Sequence, residues 1–116
     1  MKKIYHLSTC STNQRILQET AAIKKGATLQ DIKTEPITPV QLDEIKKLSG
    51  SYEALFSRKA MKFRSMGLHE QQLTEKDYRR LILEEYTFLK RPVAIVNGAI
   101  FIGNTKAVVA ALKAAM

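Results

Sequence analysis

Residues 3–17, KIYHLSTCSTNQRIL, place a cysteine between a strand-like segment and a helix-like segment. The opening residues, 3–7, alternate and are rich in strand-forming side chains, which predicts a β-strand. Ser11 and Gln14 have the spacing of a capping box, and apolar residues then recur every three to four positions, so a helix is expected to begin there. Gly26 is placed to end this helix. Cys10 therefore falls on the loop between a strand and a helix N-terminus.

This position favours the thiolate form of Cys10. The free amides of a first helical turn and the positive end of the helix dipole stabilise an anion. A free thiol, with a pKa of about 8.5, is only a few per cent ionised at pH 7. To be half thiolate at this pH, its pKa must fall by about 1.5 units, which needs roughly 2 kcal/mol of stabilisation of the thiolate. A helix end usually supplies about 0.3 to 1 kcal/mol, so cationic help is expected. The alternative is a small buried hydrophobic residue, but the polar residues at 8–9 and 11–13 favour a reactive thiol.

The composition is that of a globular protein of one domain. The chain has 116 residues, 45% hydrophobic and 26% charged, which suffices for a core without disulfides or metal. Cys10 is the only cysteine, which fits a reducing compartment. No secretory signal or membrane-spanning segment is recognised, so a cytoplasmic location is expected. Neither histidine has a metal-ligand spacing with Cys10, and no metal is expected.

A net charge of +8 suggests anionic partners. Residues 57–64, SRKAMKFR, carry four cationic side chains and no acidic one. No zinc-finger spacing, aromatic RNA-binding signature or heptad repeat accompanies them, so nucleic-acid binding rests on charge alone. The alternative is a solvated basic face.

The order of the remaining elements predicts a mixed α/β fold. Residues 27–33 read as a second strand, and helices are expected to begin at the caps Thr38 and Thr74. Together with the first strand and helix this gives β-α-β, followed by a helical insertion at about 34–91. The expectation is a single thioredoxin-like domain over residues 1–116.

The last third predicts a β-hairpin and a helix. The apolar segments 92–96 and 99–102 are separated by Asn97-Gly98, the strongest two-residue hairpin signal. Asn104 is expected to cap the helix that follows. A parallel β-α-β unit and an antiparallel β-β-α unit then share one thioredoxin-like mixed sheet.

Three more residues are candidates for a site with Cys10. Pro92 opens a strand, where its missing amide is tolerated, and in a thioredoxin-like sheet this proline is typically cis and faces the thiol loop. Arg91 carries a planar cation suited to an oxyanion, or is a surface charge at a helix end. His6 exchanges a proton near the thiol, or is simply satisfied at a sheet face.

Three segments, KIYHLSTCSTNQRIL at 3–17, ALFSRKA at 54–60 and LILEEYTFLKRPVAIVNGAIFIGN at 81–104, resemble the glutaredoxin-linked arsenate reductase family of thioredoxin-fold proteins, which also contains the Spx-type transcription regulators. The resemblance covers nearly the whole chain. It implies that Cys10 attacks arsenate while His6 lies near the thiol. It also implies a cis-proline at Pro92 and an oxyanion site, formed by the side chains of Arg58 and Arg91 and the amides of Ser11, Thr12 and Asn13.

The chain departs from this family at three places, one of which is Gln14, where the family often has an arginine and where this chain has Arg15 one position later. Gly103 or Asn104 stands where the reductases carry a third oxyanion arginine, which weakens arsenate as the substrate. Reductases commonly have Cys-x-x-Ser and the regulators Cys-x-x-Cys, whereas this chain has Cys10-Ser11-Thr12-Asn13. A dithiol switch within the motif is therefore excluded.

The resemblance implies a monothiol oxidoreductase with no bound cofactor. Glutathione is the expected co-substrate, glutaredoxin the expected partner, and arsenate or another oxyanion the expected substrate. One alternative is an Spx-like binding protein that contacts RNA polymerase without redox turnover. Another is an enzyme that acts on a different thiol adduct, such as a glutathione mixed disulfide.

Overall fold

Four strands and five α-helices, with three short 3₁₀ turns, form the protein, and the computed structural model describes all residues from 1 to 116. The strands are β1 (Lys2–His6), β2 (Thr28–Asp31), β3 (Val93–Val96) and β4 (Ala99–Ile102). The helices are α1 (Ser11–Glu19), α2 (Pro39–Ser49), α3 (Met61–Ser65), α4 (Glu75–Glu84) and α5 (Lys106–Ala115). None of the helices combines the length and apolar character needed to cross a membrane.

The strands form one mixed sheet in the order β2-β1-β3-β4. β1 runs parallel to β2 and antiparallel to β3, and β3 runs antiparallel to β4. The parallel pair is joined through α1, and the antiparallel pair is joined by a hairpin. This is the predicted order of β-α-β, helical insertion and β-β-α, and the fold is thioredoxin-like.

The strand registers bring four strand ends to one edge of the sheet, which we call the thiol end. His6 is paired with Asp31, so β1 and β2 both finish there. Tyr5 is paired with Val93, so β3 starts beside the end of β1. Val93 is in turn paired with Ile102, which brings the end of β4 to the same place.

The predicted end of the first helix is wrong. The helix that starts after Cys10 was expected to reach Gly26, but α1 ends at Glu19 and irregular turns follow. Thr20 still makes its helical bond to the Ile16 carbonyl at 3.0 Å, but Ala21 has a φ of 52°, which a right-handed α-helix does not accommodate.

The start of α5 is also displaced from its prediction. Thr105, not Asn104, is the N-cap, and its hydroxyl accepts from the Val108 amide at 3.2 Å. Two adjacent residues can each act as a cap, and the one whose side chain reaches the amide three residues on takes the role. The Asn97-Gly98 turn is confirmed, with φ of 49° and 87°.

The chain divides into two compact units, residues 1–36 with 91–116 and residues 37–90. In the first unit α1 and α5 contribute to an apolar core with the sheet. Its fully or nearly fully buried members are Ile4, Ile16, Leu17, Ala22, Ala94, Val96 and Leu112.

In the second unit, the predicted starts of α2 and α4 are confirmed, and both carry complete capping boxes. Arg79 of α4 donates to both carboxylate oxygens of Asp43 in α2, at 2.9 and 3.2 Å. The Tyr52 hydroxyl donates to the same carboxylate at 2.6 Å. Hydrogen bonds from Arg79 and then Tyr52 lower the pKa of Asp43 to about 2, so this ion pair persists across the neutral range.

Candidate active site around Cys10

Cys10 is the N-cap of α1 and is partly exposed. Its backbone is extended, with φ of −96° and ψ of 114°, and the helix begins at the next residue, Ser11. The predicted capping box of Ser11 and Gln14 is wrong, because Ser11 already lies inside the helix, whereas a capping box needs its serine at the N-cap. The Gln14 side chain instead donates to the Ser8 carbonyl at 3.0 Å.

The N-terminus of α1 is consequently open. No side chain caps it, and the backbone amides of Ser11, Thr12 and Asn13 have no backbone acceptor, since the first such bond runs from Gln14 to the Cys10 carbonyl at 3.1 Å. Unsatisfied amides at the positive end of a helix form a site for an anion. The thiol thus stands directly beside donors that an oxyanion can use.

The thiol loop, residues 7–10, is anchored on one side to β2. Asp31, the last residue of β2, accepts a short hydrogen bond from the Ser8 hydroxyl. Its other oxygen accepts from the Lys33 amide at 3.2 Å. The Ser8 hydroxyl is the main cause that lowers the pKa of Asp31, so the carboxylate is ionised at neutral pH and the anchor is intact.

The other side of the loop is anchored to α1. The Cys10 amide donates to the Leu7 carbonyl at 3.1 Å, which closes the loop into a tight turn. The Leu7 amide donates to Oδ1 of Asn13 at 3.0 Å, and Nδ2 of Asn13 lies 3.5 Å from the Cys10 sulfur. Asn13 is fully buried, at 0% exposure. The sequence predicts a role for the backbone amide of Asn13 only, and the structure adds these two contacts of its side chain.

His6 ends β1 at the thiol end and is buried, with 7% exposure. Burial lowers its pKa below the ordinary value of 6.5, and the negative charge of Asp31 opposes that shift. His6 is therefore mostly neutral at pH 7, and its Nδ1 atom is buried without a hydrogen-bond partner. The cationic help expected for the thiolate does not come from this imidazole.

Arg91 and Pro92 lie directly before β3, and so beside the carboxyl end of β1 at the thiol end. The peptide bond between them is cis. The Pro92 carbonyl accepts from the Gly103 amide at 2.9 Å, which brings the residues after β4 to the same end. The first unit thus assembles the thiol, the open helix start, His6 and Arg91 at one end of its sheet.

Arg58 belongs to the second unit and is held there. Its guanidinium donates to Glu53 at 2.7 Å and to the Tyr78 hydroxyl at 2.8 Å, and it lies over the Tyr78 ring, 5.6 Å from the centroid. The bond to Glu53 is the largest cause that raises its pKa. The oxyanion role of Arg58 remains a prediction, and Glu53 is an acidic neighbour that the sequence interpretation did not include.

Sequence reasoning missed Asp31 and the side chain of Asn13. A signal for Asp31 existed, because two strands joined by one helix run parallel and finish at the same edge. An acidic residue at the end of the second strand would then lie near the end of the first. No comparable signal points to Asn13, whose role depends on the rotamer of its side chain.

Comparison with known proteins assigns this arrangement to a family. Residues 5–112 match the model of the ArsC family. The chain belongs to the ArsC family. No curated protein matches it significantly by sequence.

Solved structures of this family have the same fold. An arsenate reductase from Vibrio cholerae is similar with a TM-score of 0.80 and 18% identity, over 96% of this chain and 96% of the other. An arsenate reductase (ArsC) related protein from Brucella melitensis is similar with a TM-score of 0.71 and 24% identity, over 91% and 88% of the two chains. At these identities the likeness establishes the fold.

Proposed function

We propose that the protein is a monothiol reductase that uses Cys10 to reduce arsenate or a similar tetrahedral oxyanion, with glutathione and glutaredoxin as thiol partners. The observation that carries this proposal is the position of the only cysteine at the uncapped N-terminus of α1. A nucleophile and a set of anion donors there act on the same ligand. Membership of the ArsC family supports the choice of arsenate. No bound cofactor is required.

The chemistry balances with two external thiols. The Cys10 thiolate attacks arsenic and displaces one oxygen, which leaves as water after protonation, and a sulfur–arsenic bond forms. A glutathione thiolate then attacks the Cys10 sulfur, the bond to arsenic breaks, and its electron pair stays on arsenic. Arsenite leaves, and a Cys10–glutathione mixed disulfide remains. Glutaredoxin takes the glutathione and releases the Cys10 thiolate, and a second glutathione restores glutaredoxin.

Arg91 is the proposed clamp of the oxyanion in the first unit, and Arg58 is a second candidate. A charge-assisted contact to an anion is worth roughly 1.5 to 3 kcal/mol, or about 10- to 150-fold in binding. Arg91→Ala should therefore raise KM for arsenate by at least about tenfold while affecting kcat less, because it removes binding energy and not the nucleophile. Arg58→Ala is expected to act in the same direction.

Steady-state reduction of arsenate with glutathione and glutaredoxin tests the proposal. Arg64→Ala is the matched control, since Arg64 is exposed on α3 and has no assigned role. No turnover by the wild type at high arsenate would refute the reductase activity. If the three arginine variants have equal KM values for arsenate, Arg58 and Arg91 are surface charges that do not bind the oxyanion.

The missing third arginine gives a gain-of-function test. One charge-assisted contact is worth about 2 kcal/mol, so the loss of this arginine should weaken the binding of arsenate roughly thirtyfold. Gly103 is a poor place to restore it, because its φ of 90° is strained for any side chain. Asn104 is exposed, and Asn104→Arg should lower KM for arsenate. An unchanged KM would argue that arsenate is not the natural oxyanion.

The alternative is an Spx-like protein that binds RNA polymerase without turnover. Helix α3 overlaps the basic segment 57–64 and buries none of its five residues. Positive charge on this segment is therefore available to a partner. Co-purification with RNA polymerase, combined with no reduction of arsenate, would favour this role. Substituting Cys10 by serine should then leave the association unchanged.

A further inference from the structure

The orientation of the Asn13 carboxamide is determined by its two contacts. The Leu7 backbone amide is only a donor, so the atom 3.0 Å from it must be the Asn13 oxygen. The amide nitrogen then faces the Cys10 sulfur, at 3.5 Å. Because Asn13 is fully buried, no water competes for this position. The group that faces the sulfur is therefore fixed as a donor.

A fixed donor distinguishes the two forms of the thiol. A thiolate is a strong acceptor, whereas a neutral thiol is a weak one, so a donor at this place stabilises the charged form more. A serine hydroxyl in the same position could rotate to donate or accept. The carboxamide has no such freedom, since turning it over would bring two donors together at Leu7.

We infer that Asn13 is a catalytic residue whose carboxamide, oriented by the Leu7 amide, donates to the Cys10 sulfur and stabilises its thiolate, the nucleophilic form. The inference rests on the proposed function only in taking Cys10 as the nucleophile. It also explains how the thiol is supported while His6 is mostly neutral. Asn13 then has two separate parts in the site, a backbone amide for the anion and a side chain for the sulfur.

The test is the rate of Cys10 alkylation by iodoacetamide as a function of pH, a reaction that needs no arsenate. Asn13→Ala removes the donor without adding charge, and should lower the rate at pH 7 by about three- to tenfold. Asn13→Asp retains an oxygen for the Leu7 amide but presents a carboxylate to the sulfur, and should lower the rate by more than tenfold. Asn13→Ser restores a donor and should recover part of the rate lost in Asn13→Ala.

Asn97→Asp is the matched control, because it makes the same amide-to-acid change in the hairpin turn, where Asn97 accepts from the N-terminal ammonium at 2.9 Å. Its rate should equal that of the wild type. Circular dichroism and thermal melting identify variants that fold. If Asn13→Ala does not fold, the alkylation rates of Asn13→Ser and Asn13→Asp still test the inference. The serine variant is expected to react faster than the aspartate variant.

Two outcomes overturn the inference. One is an unchanged alkylation rate in folded Asn13→Ala, since a slow Asn13→Asp would then reflect added charge alone. The other is a serine variant that reacts no faster than the alanine or aspartate variant. Failure of the proposed function is distinguishable, because wild-type protein without arsenate turnover would still show the predicted order of alkylation. Where turnover is measurable, Asn13→Ala should lower kcat with little change in KM.

Discussion

The N-termini of α1 and α2 are built in opposite ways. At α2 the Thr38 hydroxyl accepts from the Gln41 amide, and the Gln41 side chain accepts from the Thr38 amide, each at 3.1 Å. Thr74 and Asp77 form the same reciprocal pair at α4. At α1 the N-cap is Cys10, and no side chain occupies the amides. The chain therefore has closed helix starts at α2 and α4 and an open one at the thiol.

The difference separates helices that serve stability from one that serves a ligand. A serine, threonine, asparagine or aspartate cap contributes typically about 1 kcal/mol. α1 lacks this contribution and is held by tertiary packing, since Ile16 and Leu17 lie in the core of the first unit. Its free amides remain available for an anion. Three substitutions sharpen or break this comparison.

The largest effect is expected from Cys10→Ser, which should close the open end. Serine is among the best N-cap residues, and its hydroxyl can accept from an amide of the first turn. All thiol chemistry should be lost, while the free energy of unfolding rises by about 0.5 to 1 kcal/mol. Urea unfolding measures the stability, and alkylation measures the thiol. If Cys10→Ser is less stable than the wild type, the missing side-chain cap of α1 does not limit the stability of the protein.

An effect on stability alone, with no loss of thiol chemistry and of the opposite sign, is expected where a closed end is opened. Thr38→Ala removes the hydroxyl that caps α2 and should cost about 0.5 to 2 kcal/mol in the free energy of unfolding. Thr34→Ala is the control, because Thr34 is exposed and lies outside every helix. Chemical denaturation of both variants is the measurement. Equal stability would mean that the box at α2 contributes nothing net.

The smallest effect is a local response to acid at α4. Hydrogen bonds from the Thr74 amide and hydroxyl lower the pKa of Asp77. Because the folded pKa is depressed, the carboxylate stabilises the fold above the unfolded pKa of about 3.9 and loses this effect as the pH falls through the folded value. The Thr74 amide NMR signal should titrate below about pH 3.9 and stop doing so in Asp77→Asn. A Thr74 titration that persists in the variant would contradict the assignment.

Much of the fold follows from local sequence signals. The Asn97-Gly98 turn and the boxes at Thr38 and Thr74 are specified by residues a few positions apart, and the structure has all three. The same logic gave the wrong cap at Ser11, where the spacing of a box is present but the backbone places Cys10 at the N-cap. A capping motif fixes a helix start only if no neighbour competes for the position.

The site was less accessible to sequence reasoning than the fold. The position of Cys10 was predictable, because a strand, a loop and a helix in order place it at a helix N-terminus. The contacts of Asp31 with Ser8, and of Asn13 with the sulfur, depend on strand register and side-chain rotamers. These are set by packing across the sheet, which local patterns do not encode.

The anchors of the thiol loop have a consequence for the kinetics of binding. Asp31, Gln14 and Asn13 hold the loop through hydrogen bonds within the chain itself. The conformational entropy of ordering these residues is therefore lost during folding and not on association. An anion should therefore bind to a thiol loop that is already ordered, and no closure of the loop needs to precede binding. With a net charge of +8, the association rate should then be governed by electrostatic steering and should fall steeply as ionic strength rises.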